Sequence, residues 1–163
     1  MLEKVFLGDF IKVTKENGIE RVFLRDSVHT FLVTDEKKIR LTVEKILGDN
    51  KVGEKIQSGI IEQGEASLQA AKRELLEELG LEAADWQELV IHKSTGTVND
   101  ICYYFVARQL SVVSEDLDGE ILGTKDYSLE ELYEKSMNSE FSPVTQAAVA
   151  KLYFEVTRGK IEL

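Results

Sequence analysis

Up to Ile61 the apolar side chains either alternate with polar ones or gather in short β-branched runs. That period of two predicts extended strands. They cover Val5–Val13, Glu20–Arg25, His29–Thr34 and Lys38–Leu47, divided by Glu16-Asn17-Gly18 and Asp35-Glu36-Lys37. Asn17-Gly18 is a good hairpin dipeptide, because both residues tolerate the left-handed backbone of a tight turn. A loop at Asp49-Asn50 and Gly53 leads into the β-like Lys55-Ile56-Gln57. The period then changes. From about Ala66 to Leu79 good helix formers dominate, with no Gly or Pro inside. Leu68, Ala71, Lys72, Leu75 and Leu79 share one predicted side, with Leu76 at its edge. Gly80 supplies the left-handed residue that closes helices, and Leu81 can fold back over the last turn.

Further along, a strand is expected near Leu89–His92, a polar loop from Lys93 to Asp100, and a strong strand from Ile101 to Leu110. An acidic loop runs from Ser114 to Glu120, before a strand near Ile121–Tyr127. Ser128-Leu-Glu-Glu131 forms a capping box for a short helix to about Lys135. Ser142-Pro143 opens the last helix, which ends near Gly159. Strands, helix, strands and helices in that order predict a mixed sheet flanked by helices. We therefore expect one α/β (α+β) domain over residues 1–163, with 1–36 as an N-terminal β region.

Composition narrows the partners. A chain of 163 residues with 43% apolar and 31% charged side chains fits one ordinary globular domain. Its net charge of −10 disfavours nonspecific nucleic-acid binding and anionic membrane surfaces, so a phosphorylated substrate would need metal ions to approach. Lone Cys102 excludes an internal disulfide, suits a reducing cytoplasm, and reads as core filler. No stretch approaches transmembrane length, and acidic Glu3 argues against a signal peptide. His29 and His92 read as strand residues and Trp86 as a packing residue. Phe6, Phe10, Phe23 and Phe31 read as core or dimer-interface residues.

The chemistry concentrates in one turn. Glu74, Glu77 and Glu78 stand at i, i+3 and i+4, so three carboxylates gather on one part of the helix. Their repulsion costs stability unless a cation sits among them, and the single guanidinium of Arg73 cannot neutralise three charges. Hard divalent cations such as Mg2+ take carboxylate oxygens together with substrate phosphates. Just before the helix, Gly59 would let the backbone approach a metal or phosphate closely.

Residues 59–81, GIIEQGEASLQAAKRELLEELGL, satisfy the template G-x5-E-x7-R-E-U-x-E-E-x-G-U (U aliphatic) at Gly59, Glu65, Arg73, Glu74, Leu75, Glu77, Glu78, Gly80 and Leu81. Chance agreement at these places is roughly one in ten million per starting position. The chain thus resembles the Nudix hydrolases. The resemblance implies an α/β/α sandwich and hydrolysis of a nucleoside diphosphate linked to another moiety, with Mg2+, or Mn2+ as substitute. It makes Glu74 and Glu78 the principal metal ligands, Glu77 a ligand or supporting carboxylate, and Arg73 the residue that orients the glutamates. The backbone carbonyl of Ser58 and the side chain of Glu65 stand at the edge of the metal set. The general base comes from the acidic loop, with Glu120 first, then Asp116 and Asp118.

The layout is similar to ADP-ribose pyrophosphatases, which points to ADP-ribose or a related nucleotide sugar. The alternatives are a nucleoside triphosphate or dinucleotide substrate, or a non-catalytic nucleotide-sensing module. Three places depart from that group. Gln57-Ser58-Gly59 replaces Pro-Ala-Gly, Thr95 stands where a Pro is expected, and Thr42-Val43-Glu44-Lys45 replaces a Gln-x-Arg stretch. In that group the N-terminal strands mediate a homodimer, for which Met1–Glu36 is long enough.

Overall fold

A computed structural model describes residues 2–45, 51–114, 121–138 and 140–163. The first three strands, β1 (Leu2–Leu7), β2 (Ile11–Glu16) and β3 (Ile19–Leu24), form an antiparallel meander. The expected strand Val5–Val13 is in fact broken at Gly8–Phe10, where the chain turns back and Gly8 donates to the Ile11 carbonyl at 2.8 Å. Asn17 and Gly18 make the next turn with φ of 52° and 80°, as a primed hairpin turn requires.

The main sheet contains β4 (Ser27–Val33), β5 (Ile39–Lys45), β6 (Val52–Lys55), β7 (Gln57–Ile60), β8 (Leu81–Ser94), β9 (Val98–Val112) and β10 (Ile121–Tyr127). It is mixed: β4 runs parallel to β9, while β5, β7 and β8 make antiparallel pairs. A short parallel pairing, Val22 with Val98 and Phe23 with Asn99, fastens the meander to the start of β9. Strand β8 begins immediately after the helix, well before the expected Leu89. Glu82, Ala83 and Asp85 are poor strand formers, but each is paired with β9, and ladder hydrogen bonds outweigh local preference.

The faces of β4 alternate strictly. Phe31 and Val33 join Tyr104, Val106 and Ile39 against α2 (Leu129–Met137) and α3 (Pro143–Thr157), through Leu129, Leu132, Val149 and Leu152. Val28 and Leu32 point the other way, against Ala70, Ala71 and Leu75 of α1 (Ser67–Leu79). A curled mixed sheet between α1 and the α2–α3 pair is the α/β/α sandwich. Both later helices start as expected: Ser128 and Ser142 each accept a backbone hydrogen bond from the third helical residue. Cys102 is buried in the α2–α3 core at 7% exposure, so it fills space there.

The partly buried His29 stacks on Tyr104 at 4.6 Å, with Ser27 Oγ 3.0 Å from its Nε2. Burial first, then the charge of Lys55, pushes its pKa from 6.5 down to about 4, against a smaller upward pull from Asp100. The unfolded chain therefore takes up a proton between these values that the fold refuses, so this contribution is complete above pH 6.5 and lost as pH falls toward about 4. Urea midpoints of wild type and His29→Gln should diverge across that window. Relative to the variant, wild type loses at most roughly 3 kcal/mol on acidification. Parallel pH profiles would mean that His29 titrates normally in the fold.

Candidate active site

Helix α1 rests on part of the apolar side that its periodicity predicts: Ala71 and Leu75 are buried and Leu79 packs beside them, but Leu68 and Lys72 are not covered. Ala70, Ala71 and Leu75 are its buried residues, whereas Leu68 and Leu76 remain 37% and 38% exposed. The helix is rotated so that its small residues meet the sheet, which brings Glu74 and Glu78 partly under cover beside β7. Gly80 closes it as expected, with φ 62° and its N–H bonded to the Leu76 carbonyl at 2.9 Å.

The space for Glu74 exists because Gly59 lacks a side chain. A Cβ at that position would lie 1.9 Å from Glu74 Cδ, well inside van der Waals contact. Gly59 lies opposite Val28 and faces α1, while its neighbour Ser58 lies opposite His29 on β7. Glycine serves here for close approach rather than for an unusual backbone angle.

Arg73 binds this corner together. Its Nε and Nη2 donate to the two oxygens of Glu65, each at 3.0 Å, in a bidentate pair. Nη1 donates to Glu74 Oε1 at 2.9 Å and to Glu77 Oε2 at 3.0 Å, and Nη2 also reaches the Ile60 carbonyl at 2.9 Å. One planar group thus joins the loop before α1 to two carboxylates on it. The bonds to Glu65, more than those to Glu74 and Glu77, raise the Arg73 guanidinium above its ordinary value. In return Arg73 holds Glu65 below the usual carboxylate range, helped by the Glu62 N–H.

Glu78 has different company. Gln57 Nε2 donates to its Oε2 at 3.0 Å. Burial pushes its pKa from 4.5 up to about 7; the Gln57 bond and Lys55 pull down, while the charges of Glu74 and Glu44 push up. Burial likewise raises Glu74, against its bonds with Arg73. The turn is short of positive charge even with Arg73 in place.

Sequence reasoning passed over Gln57, Glu44 and Lys55 as site residues. Glu44 on β5 accepts from Thr42 Oγ1 at 2.9 Å and from Lys55 Nζ at 2.6 Å. Thr42 opposes Lys55, and Gln57 opposes Thr30, on the sheet face that carries α1. The only local sign of this was alternation, Thr42 with Glu44 and Lys55 with Gln57. Alternation tells which residues share a face but not which helix covers it. Asp116, Asp118 and Glu120 lie outside the described residues. Trp86 packs edge-on to Phe105 at 6.2 Å and donates to the Ala83 carbonyl, as a packing residue should. Phe31 is wholly buried, whereas Phe6 and Phe10 are more than half exposed.

Among the described residues, no three acidic, His or Cys side chains stand close enough to chelate an ion as they are placed. Arg73 occupies the position between Glu65, Glu74 and Glu77 that a cation would contest. The donor chemistry nevertheless fits a hard divalent cation: carboxylate oxygens, partly buried, with charge to spare, over a seat that admits no side chain.

The profile of the NUDIX domain matches residues 23–148. No curated protein matches the chain at a significant level. Among solved structures, one described as a crystal structure of ADP compounds hydrolase is similar, with a TM-score of 0.76 at 22% identity, over 99% of this chain and 95% of that one. The E. coli ORF135 protein in solution gives a TM-score of 0.68 at 19% identity, over 84% of this chain and 94% of its own. A NUDIX hydrolase from Nitrosomonas europaea gives 0.63 at 23% identity, over 79% and 88%. With the acidic turn seated on Gly59, the Arg73 clamp, the sandwich fold and the profile match over most of its length, the chain belongs to the Nudix family of pyrophosphohydrolases.

Proposed function

We propose that this protein hydrolyses the pyrophosphate bond of ADP-ribose or a related nucleotide sugar, with Mg2+ as its cation. The observation that carries the reading is the acidic turn of α1 standing over Gly59, where a methyl group would displace Glu74. The similarity to an ADP compounds hydrolase over nearly the full length of both chains supports the substrate class. Glu74 and Glu78 would hold the cation, with Glu77, the Ser58 carbonyl and Glu65 at its margin. When bound, the cation neutralises diphosphate oxygens and lowers the pKa of an attacking water. Arg73 keeps Glu65, Glu74 and Glu77 in register with the Gly59 loop, and Glu120 of the acidic loop takes the water's proton.

The N-terminal meander supports a homodimer. Val5, Phe6, Leu7, Phe10, Ile11 and Ile19 are between 42% and 67% exposed. That apolar surface lies on a sheet whose β1 stands at the end of the strand order. No helix among the described residues is long and apolar enough to cross a membrane. A reducing cytoplasm suits the buried free thiol of Cys102.

With Mg2+ and a panel of ADP-ribose, nucleotide sugars, dinucleotides and nucleoside triphosphates, AMP release should be fastest from ADP-ribose-like compounds. Glu78→Gln should lower turnover by roughly a thousand-fold or more, about 4 kcal/mol of barrier, with an unchanged circular dichroism spectrum. Undiminished activity in that variant would refute the ligand assignment. Gly59→Ala should keep the fold and lose at least about a hundred-fold in turnover, since the added methyl must displace Glu74. Wild-type rates there would show that Glu74 need not occupy its seat. Sedimentation velocity at micromolar concentration should give a dimer that Phe6→Glu dissociates. A wild-type monomer would remove the interface.

A further inference from the structure

Beneath the acidic turn lies an amide that the family chemistry does not call for. Gln57 is 0% exposed and sits on β7 opposite Thr30 of β4. Its Nε2 donates to Glu78 Oε2, while its Oε1 has no hydrogen-bond partner. Thr30 Oγ1, equally shut off from solvent, has none either. Burying an amide with half of its capacity unmet costs stability that an aliphatic side chain at the same place would not. Packing therefore gives no reason for Gln here. The group that receives its hydrogen bond does.

Glu78 is the carboxylate most in need of restraint. Its neighbours Glu74 and Glu44 repel it, and Arg73 makes no bond to it that would hold it in place. We infer that Gln57 is the positioning residue of the cation site, acting through Glu78; this rests on the reading of Glu78 as a cation ligand. By tying down Oε2, the amide selects the side-chain rotamer before an ion arrives and leaves Oε1 of Glu78 for the ion. Ordering cost that each binding event would otherwise meet is thus met on folding. A neutral donor suits this task better than a lysine, because it restrains the carboxylate without cancelling the negative charge that attracts the cation.

Gln57→Met keeps the length and shape of the side chain and removes the donor. Mn2+ titration of wild type, Gln57→Met and Glu78→Gln, followed by electron paramagnetic resonance of the free ion, reads the site without catalysis. Gln57→Met should keep the wild-type circular dichroism spectrum and bind Mn2+ roughly ten-fold more weakly. Its deficit in kcat should shrink as the cation approaches saturation, with KM for the nucleotide unchanged at saturating cation. Should that variant fail to fold, Gln57→Ser carries the same expectation. Wild-type Mn2+ affinity in a folded variant, with only the melting temperature moved, would make Gln57 a packing residue and overturn the inference, leaving the hydrolase reading intact. A wild-type protein that binds no Mn2+ would remove the site reading and this inference together.

Discussion

The contact between Glu74 and Gly59 sets the geometry of everything around it. Helix α1 comes down on the sheet through Ala70 and Ala71, small residues that let it sit close. At that separation a carboxylate on the adjoining flank must find space against β7, and a Cβ at residue 59 would occupy that space. Close approach partly buries Glu74 and Glu78, burial raises both carboxyls, and the raised pair then favours any cation that can reach it. Arg73 keeps the arrangement together meanwhile. Without it, Glu65, Glu74 and Glu77 would repel one another with little to order them.

Stability and chemistry are divided between the two faces of the sheet. Against α2 and α3 the layer is almost wholly apolar, from Phe31 and Tyr104 to Leu132 and Leu152. Against α1 the apolar contacts are smaller and broken by polar residues, among them Thr42, Gln57 and Thr30, all fully buried. A site built of repelling carboxylates lowers stability, so it belongs over a face whose opposite side supplies the apolar burial. Beyond that core, Arg40 grips Asp126 through two bonds of 2.8 Å and ties β10 to β5. Glu54 joins β6 to β10 and α2: burial pushes its carboxyl up, but bonds from Lys125, Tyr127 and Lys135 outweigh that and hold it at about 2.

The departures from the ADP-ribose pyrophosphatase pattern acquire physical content in this frame. Gly59 of Gln57-Ser58-Gly59 is dictated by contact, whereas Gln57 is free to differ and here supplies a donor to Glu78. Within Thr42-Val43-Glu44-Lys45, Thr42 and Glu44 face α1; Thr42 donates to Glu44, which pairs with Lys55 close to Glu78. The stretch that stands in place of Gln-x-Arg is thus mixed in charge here. Lys55 of the Lys55–Glu44 pair is about half exposed, so screening weakens the pair's contribution to stability.

What was legible in the chain alone was local. The order of residues 59–81, the Gly80 cap, the serines that start α2 and α3, and the Asn17-Gly18 turn each depend on near neighbours, so each shows in a short stretch of sequence. Contacts across the fold decided the rest. Pairing with β9 drew Leu81–Asp85 into β8 against their own preference, and docking turned α1 so that Ala70 joins Ala71 and Leu75 at the sheet while Leu68 stays outside. Periodicity weighs hydrophobicity but not size, so it favoured Leu68 over Ala70 when the sheet admitted only the smaller residue. Glu44, Lys55 and Gln57 come from strands brought under α1 by register, which no spacing along the chain encodes. The acids were written in one line of sequence; what holds each of them in place was assembled from three strands and a loop.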